Sequence, residues 1–343
     1  MSEAAEQAGL VVGVDVGGTK VAAGLVDATG KILFQSRTPM VANDGATGGL
    51  AAVTSAIDSV SNKATSTPGA PQLIQSIGIC CPGPLDPKTG TILNPPNLPC
   101  WRNYPLAAEL ARIYRVRVKV DNDANAAGLA ESMWGAGRGY RNVFYATLGT
   151  GIGTAILFGG RLYEGRTGAA GEGGHVSIDY KGPLCGCGKP GCIEAFAAGP
   201  AIAKRARAKL ESNPTSSLLQ LANGKIDQVT SEMVGQAYAA GDAVATETLM
   251  ETIGLLSIWL GNIIDLLEPD VIIVGGGVAS MLQPLFKEIS DRLPSCCINK
   301  RCQEIPLVPA RYGADAGIAG GAALCFQTTS NTNGVTAAIL STG

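Results

Sequence analysis

Leu10-Val-Val-Gly-Val-Asp15-Val-Gly-Gly-Thr-Lys20-Val-Ala-Ala-Gly-Leu-Val26 is the stretch from which the fold is read. Its apolar runs, Leu10 to Val14 and Val21 to Val26, are too short for helices and are joined by a polar turn with paired glycines. They predict the two strands of a hairpin. Ile32 to Gln35 adds a third strand before any helical pattern appears, which makes an antiparallel opening. The same grammar returns at Asn142 to Leu148, Gly153 to Phe158 and Leu162 to Glu164, around Thr147-Leu-Gly-Thr-Gly-Ile-Gly153. Two halves built on one plan are therefore expected. A single glycine hairpin is usually only a turn, but two in equivalent places, each with backbone N–H groups left open, read as a cradle for phosphate. A third glycine site, Val274-Gly-Gly-Gly-Val278, ends an apolar run and opens a helix, where a nucleotide can approach the backbone closely. Neither a G-x-G-x-x-G fingerprint nor a Walker A sequence is found there.

Around these repeats, helical patterns alternate with apolar runs. Helices are predicted over Gly49 to Lys63, Leu106 to Tyr114 and Asn122 to Trp134, and strands over Leu73 to Cys80 and Val116 to Val120. Later come helices at Ile202 to Leu210, Ser231 to Ala239 and Ala243 to Leu267 and a strand at Val271 to Val274. A helix near Leu282 to Arg292, a strand at Ile305 to Val308 and a last helix from about Ala316 follow. Such alternation predicts an α/β fold. The 343 residues exceed the ~250–300 at which one core stops growing. A smaller domain over 1–121 and a larger one over 122–315 are expected, with a helix over 316–327 completing the first and a loose polar tail over 328–343.

Composition excludes several classes of function. Hydrophobic residues make up 46% and charged ones 16%, against ~25% charged in an average chain, so the protein is globular rather than disordered. Glycine supplies 46 positions, nearly twice the usual ~7%, without the period of a collagen, which places it in turns and backbone-lined sites. With 26 Lys and Arg against 28 Asp and Glu, the net charge of -2 offers no basic surface for nucleic acid. Met-Ser-Glu-Ala-Ala-Glu lacks the basic start and apolar run of a secretory signal. The uncharged stretch from Thr252 to Ile264 falls short of the ~20 residues that span a bilayer. A cytoplasmic protein without a membrane partner is expected, and there the ten cysteines do not call for a disulfide framework.

Three constellations carry chemistry. Val120-Asp-Asn-Asp-Ala-Asn125 stacks polar residues where a strand meets a helix; one of them suffices for a cap, so at least one carboxylate is left for proton transfer. His175, the single histidine, precedes Cys185-Gly-Cys-Gly-Lys-Pro-Gly-Cys192, a Cys₃His set suited to a closed structural zinc site. Glu172 and Glu194 flank those ligands and read either as acceptors for a polyol or as solvated surface residues. Asn97, in a Pro-rich loop, reads equally as a ligand-binding amide or as turn chemistry. The other seven cysteines read as small apolar residues.

Taken in order, Asp15-Val-Gly-Gly-Thr-Lys20, Asn122-Asp-Ala-Asn125, Gly149-Thr-Gly-Ile-Gly153, Gly171-Glu-Gly-Gly-His175, Cys185-Gly-Cys-Gly188 with Gly191-Cys-Ile-Glu194, and Val274-Gly-Gly-Gly277 resemble the motifs of the ROK (repressor, open reading frame, kinase) family. The resemblance runs from about residue 10 to 326 and implies a two-domain actin-like, hexokinase-type ATPase fold with ribonuclease H-like repeats and an interdomain cleft. It implies an enzyme that transfers the ATP γ-phosphoryl group to a hexose 6-hydroxyl, glucose first among the candidates, as a homodimer or tetramer. Asp123 then stands at the catalytic base, while Asn97, Asn122, Glu172, His175 and Glu194 stand at residues that hold the sugar, with His175 also binding zinc. Gly17, Gly18, Thr19 and Lys20 match the first phosphate loop, Thr150 and Gly151 the second, Gly276 and Gly277 the adenosine site, and Asp15 the residue that holds Mg²⁺ through water. Gly173 departs from the family pattern, where an apolar residue is common, and is expected to loosen the loop. Fructose, mannose and N-acetylmannosamine remain open as substrates. A sugar-responsive repressor is the alternative of another class; such proteins carry a helix-turn-helix domain ahead of this motif, whereas 14 residues without Lys or Arg precede Asp15.

Overall fold

The computed structural model describes residues 9–40, 44–65 and 74–327. Strands β1 (Leu10–Val16), β2 (Lys20–Val26) and β3 (Ile32–Pro39) form an antiparallel meander, and α1 (Gly45–Thr65) follows. Next come β4 (Ile74–Cys81), the short hairpin β5 (Leu85–Asp86) and β6 (Thr91–Ile92), α2 (Leu106–Tyr114) and β7 (Arg117–Asn122). β4 pairs in parallel with β1, and β7 with β4, so the first sheet has the order β3-β2-β1-β4-β7. Helix α3 (Asp123–Met133) leads into β8 (Val143–Leu148), β9 (Ile152–Phe158) and β10 (Arg161–Leu162), a second antiparallel meander. After a loop-rich stretch the chain forms α4 (Glu194–Ala197), α5 (Gly199–Leu210), α6 (Ser217–Leu221), α7 (Ser231–Ala239) and α8 (Ala243–Leu267). It closes with β11 (Val271–Gly275), α9 (Gly277–Leu282), α10 (Phe286–Arg292), β12 (Leu307–Pro309) and α11 (Ala316–Phe326). β11 joins β8 and β12 in parallel, giving β10-β9-β8-β11-β12. The two sheets thus repeat one topology, as the paired glycine hairpins imply.

Strand β1 is apolar along its length because it is central and covered on both faces. Cover on one side is α11, which lies so close that a Cβ on Gly13 would stand 1.9 Å from the Ile318 carbonyl oxygen and one on Gly78 would stand 1.8 Å from that of Gly321. The glycines expected in turns are therefore also spent on helix-to-sheet contact. α11 packs on β1, β4 and β7 and also on α3, which in turn packs on β8 and β9, so this small-residue helix pair joins the two sheets. Separate apolar clusters fill the far side of each sheet.

Element ends shift by a few residues from the sequence expectation. The larger difference lies at 282–292: Pro284, which has no N–H to donate, starts a fresh turn at Gln283–Leu285, so a continuous helix becomes α9, a short 3₁₀ turn and α10. Leu73 and the tail beyond Gln327 lie outside the described residues. α8 is long and apolar enough to cross a membrane, but 56% of its most apolar window is buried inside the protein, where it serves as a core helix.

Candidate active site

The end of β1, the β1–β2 turn and the start of α3 converge on a cavity of about 490 Å³. Asp15, Gly17, Gly18, Thr19, Asn97 and Asp123 line it together with Val16 and Pro82, neither of which carries a signal in sequence. Neither Gly17 nor Gly18 has a positive φ; what Gly18 provides is space, since a Cβ there would stand 2.7 Å from the Asn97 carbonyl oxygen. Lys20 opens β2 with an exposed side chain and contributes its carbonyl to the turn, accepting from the Gly17 N–H at 2.9 Å.

At the strand-to-helix junction the polar residues divide their roles. Asn122 caps α3, its Oδ1 accepting from the N–H groups of Ala124 at 2.9 Å and Asn125 at 3.3 Å. The side-chain amide N–H₂ of Asn122 faces the Asp123 carboxyl, to which it donates. Asp121 is buried, and its Oδ1 accepts from the Asn125 amide at 3.1 Å. Asp123 opens to the cavity while walled in closely enough that desolvation raises its carboxyl above the ordinary carboxylate value. Burial, then the nearby Asp123 charge, raises Asp15 likewise. Behind Asp15 the Cys80 thiol donates to the Gly317 carbonyl at 3.2 Å and reaches the Asp15 Oδ1 at 3.8 Å, a support that only the tertiary fold reveals.

The metal loop is built from glycine turns, with Gly188 and Gly191 at φ of 90° and 73°. It brings the ligand atoms of His175, Cys185, Cys187 and Cys192 within 4.8 Å of one another. Cys185 Sγ lies 3.6 Å from His175 Nδ1, and Cys187 Sγ lies 3.6 Å from Cys192 Sγ. A tetrahedral zinc with Zn–S bonds of about 2.3 Å needs edges near 3.8 Å, so this donor set fits the ion. With Nδ1 turned to the thiols, the other nitrogen of His175 lies 4.0 Å from Glu172 Oε2. Glu194 joins the metal loop to the second hairpin: its Oε1 is 3.8 Å from His175 Nδ1, and its Oε2 accepts from the Ile152 N–H at 2.9 Å.

Gly173 does not loosen this loop. Its N–H donates to Thr154 Oγ1 at 2.7 Å, that hydroxyl donates in turn to the Gly171 carbonyl, and the Gly173 carbonyl accepts from the Trp259 indole at 3.0 Å. A Cβ at 173 would stand 2.7 Å from Thr154 Oγ1, so glycine here permits tight seating. Thr154 and Trp259 had no sequence signal, because each acts across the fold.

A second cavity of about 510 Å³ opens at the second hairpin, lined by Thr150, Gly277, Arg207 and Glu232 among others. Gly276 has φ of 90°, and a Cβ there would stand 2.3 Å from the Leu148 carbonyl oxygen, so only glycine serves. Gly151 sits beneath, where a Cβ would stand 2.7 Å from Glu194 Oε2.

The family model for the ROK family matches residues 11–328. The chain belongs to the ROK family. It is 32% identical over 322 residues to a glucokinase of Streptomyces coelicolor, covering 93% of this chain and 98% of that protein. The solved structure of a ROK family glucokinase from Streptomyces griseus, in complex with glucose and AMPPNP, superposes with a TM-score of 0.76 at 35% identity, covering 92% of this chain and 99% of that one. A xylose repressor of Caldicellulosiruptor bescii is also similar, at 29% identity over 82% of this chain and 68% of that protein. The doubled sheet is accordingly the actin-like ATPase fold of the ROK sugar kinases.

Proposed function

We propose that the protein is an ATP-dependent hexose kinase that phosphorylates the 6-hydroxyl of glucose. One observation carries this reading: Asp123 faces the same cavity as Asp15 and the first glycine hairpin. In that position Asp123 orients the sugar 6-hydroxyl and accepts its proton as the oxygen attacks the γ-phosphorus in line, with ADP leaving. Glu172, His175, Glu194, the Asn122 amide and Asn97 hold the other hydroxyls. The N–H groups of the two hairpins cradle the phosphates, and the adenosine lies in the cavity of Thr150 and Gly277. Two raised carboxylates side by side suit a divalent cation, and Asp15 would hold Mg²⁺ through water; Mg²⁺ supplies charge neutralisation of the phosphates. His175, Cys185, Cys187 and Cys192 would hold zinc, which supplies a rigid frame for Glu172 and Glu194.

The reading includes two domains, residues 1–121 with the α11 helix and residues 122–315, closing on the sugar to exclude water. It also includes a cytoplasmic homo-oligomer, a dimer or tetramer. Coupled ADP-release assays across glucose, fructose, mannose and N-acetylmannosamine test it. Glucose is expected to give the highest kcat/KM; a preference for another hexose moves the enzyme to the alternative substrate, and ADP release with none of them overturns the kinase reading in favour of a sugar-binding regulator.

A further inference from the structure

Among the described residues, the buried side-chain polar atom left without a hydrogen bond is Nε of Arg205 on α5, whose side chain is 22% exposed. A guanidinium held mostly out of water with one N–H unpaired is destabilising unless its other N–H groups secure something. They reach two elements. Nη1 donates to the Thr248 carbonyl at 3.3 Å and to Glu251 Oε2 at 3.1 Å, and Nη2 donates to the Thr252 hydroxyl at 2.5 Å and to the Phe196 carbonyl at 3.2 Å. The Thr252 hydroxyl donates its own proton to the Thr248 carbonyl at 2.8 Å, which leaves its oxygen to accept from Arg205. Thr248, Glu251 and Thr252 belong to α8, whereas Phe196 lies in α4, the single turn that begins with Glu194.

α8 is attached to the sugar side a second time, where the Trp259 indole N–H donates to the Gly173 carbonyl at 3.0 Å, next to Glu172. Thr248, Thr252 and Trp259 stand at i, i+4 and i+11, within about 40° of one face of the helix at 3.6 residues per turn. Glu172 and Glu194 thus sit on separate segments tied to one stripe of α8, the first through Trp259 and the second through Arg205. We propose that Arg205 is a positioning residue for the sugar: with Thr252 and Trp259 it sets the spacing of Glu172 and Glu194, and that spacing selects among hexoses. This role rests on the kinase reading, in which those two glutamates hold sugar hydroxyls. Epimeric hexoses differ in the direction of a single hydroxyl, so two acceptors at fixed spacing reject the wrong epimer by leaving a polar group unpaired. Lysine cannot take the same part, because its ammonium is a point of three donors where Arg205 uses four in a rigid fork. None of the groups bonded by Arg205 lines the cavity of Asp123 or that of Thr150, so the effect falls on the sugar.

The test is steady-state kinetics with glucose and mannose at saturating ATP, together with calorimetric titration of glucose alone into the full chain. Arg205→Met keeps the stem, Arg205→Lys keeps the charge, and Thr252→Val and Trp259→Phe each remove one polar atom; Glu251 keeps Lys209 at 2.7 Å in all four. Both Arg205 variants are expected to raise the glucose KM and Kd at least about tenfold, and the other two several-fold. The glucose-to-mannose ratio of kcat/KM should move several-fold toward unity, with kcat and the ATP KM within about twofold of wild type. A merely structural role would lower thermal stability and the active fraction while the folded molecules kept their glucose KM and hexose ratio, and that result overturns the proposal. Arg205→Lys binding glucose as wild type does overturns the fork. If the Arg205 variants fail to fold, Thr252→Val and Trp259→Phe decide by the same readouts. Wild-type protein that binds glucose but releases no ADP with any hexose removes the kinase reading, while the calorimetric shifts still decide Arg205; active wild type with unmoved variants removes the Arg205 role alone, and wild type that binds no sugar overturns both.

Discussion

At the first glycine hairpin a Cβ on Gly18 would meet the backbone of Asn97 at 2.7 Å, and at the second a Cβ on Gly151 would meet the carboxylate of Glu194 at the same distance. The two turns hold equivalent places in sheets of equivalent topology, yet one is closed by main chain and the other by a charged side chain. The first opens on Asp15 and Asp123, where a hydroxyl would be activated. The second is tied through Glu194 to the Cys₃His loop, so the proposed phosphate cradle and the proposed sugar frame share one residue. The difference teaches that repetition of the fold supplied the two backbone cradles, and that the side chains around each turn decide what it serves. It also gives each half a distinct failure when disturbed.

The largest effect is expected at Asp123 on the first side. Asp123→Asn keeps shape but cannot accept the hydroxyl proton, so kcat should fall about 10²–10⁴-fold, roughly 3–5 kcal/mol in the barrier. Binding of sugar, followed by tryptophan fluorescence, should change far less. The wild-type pH profile carries a matching sign. The base acts ionised and its folded pKa is raised above 3.8, so kcat/KM should fall as pH drops through that raised value, and this acidic limb should vanish in the variant. A variant with more than about a tenth of wild-type turnover would place the base elsewhere.

On the second side, Cys187→Ser removes one corner of the proposed zinc site. Metal analysis should find about one zinc per wild-type chain and none in the variant. Because Glu194 and His175 are placed by that loop, the sugar KM should rise by at least about tenfold, near 1.4 kcal/mol, with the ATP KM moving less. Loss of zinc with an unchanged sugar KM would cut the link between metal and pocket.

Gly151→Ala probes the shared residue directly. A methyl group 2.7 Å from Glu194 Oε2 must displace the carboxylate and strain its bond from Ile152. Taken as a phosphate loop alone, Gly151 would affect ATP first; with Glu194 against it, sugar and ATP KM should both rise, by several-fold each. An ATP effect alone would show that Glu194 yields without consequence for the sugar.

How far these sites were legible depends on the reach of each cause. Both hairpins, the Gly276 turn and the metal ligands sit within short windows whose glycines, alternating apolar runs and thiol spacing are local signals. The capping count at 121–125 was local as well: Asn122 caps the helix, and Asp123 Oδ1 also accepts from the Ala124 N–H at 2.8 Å. Cys80 behind Asp15, Thr154 and Trp259 under the metal loop, and the bond from Ile152 to Glu194 join residues that are 19 to 237 positions apart, and nothing in a window of sequence pairs them. The same limit explains the glycines of β1 and β4, which serve packing against α11 and look in sequence like any other strand glycine.

The smallest effect on the folded protein is expected at Gly17, and it separates space for phosphate from space for protein. Unlike Gly18 and Gly151, it has room: a Cβ there would stand 3.4 Å from the Lys20 carbonyl, an ordinary contact, and its φ is not positive. Gly17→Ala should therefore leave thermal stability within about 0.5 kcal/mol of wild type. Any defect must come from what approaches the open side of the turn. If the γ-phosphate passes over Gly17, the added methyl raises the ATP KM several-fold while the sugar KM stays constant, measured by varying each substrate at saturation of the other. An unchanged ATP KM in a stable variant would remove Gly17 from the phosphate path and leave Gly18 and Thr19 as its floor. A fall in stability would instead show that the turn packs more tightly than the 3.4 Å clearance implies.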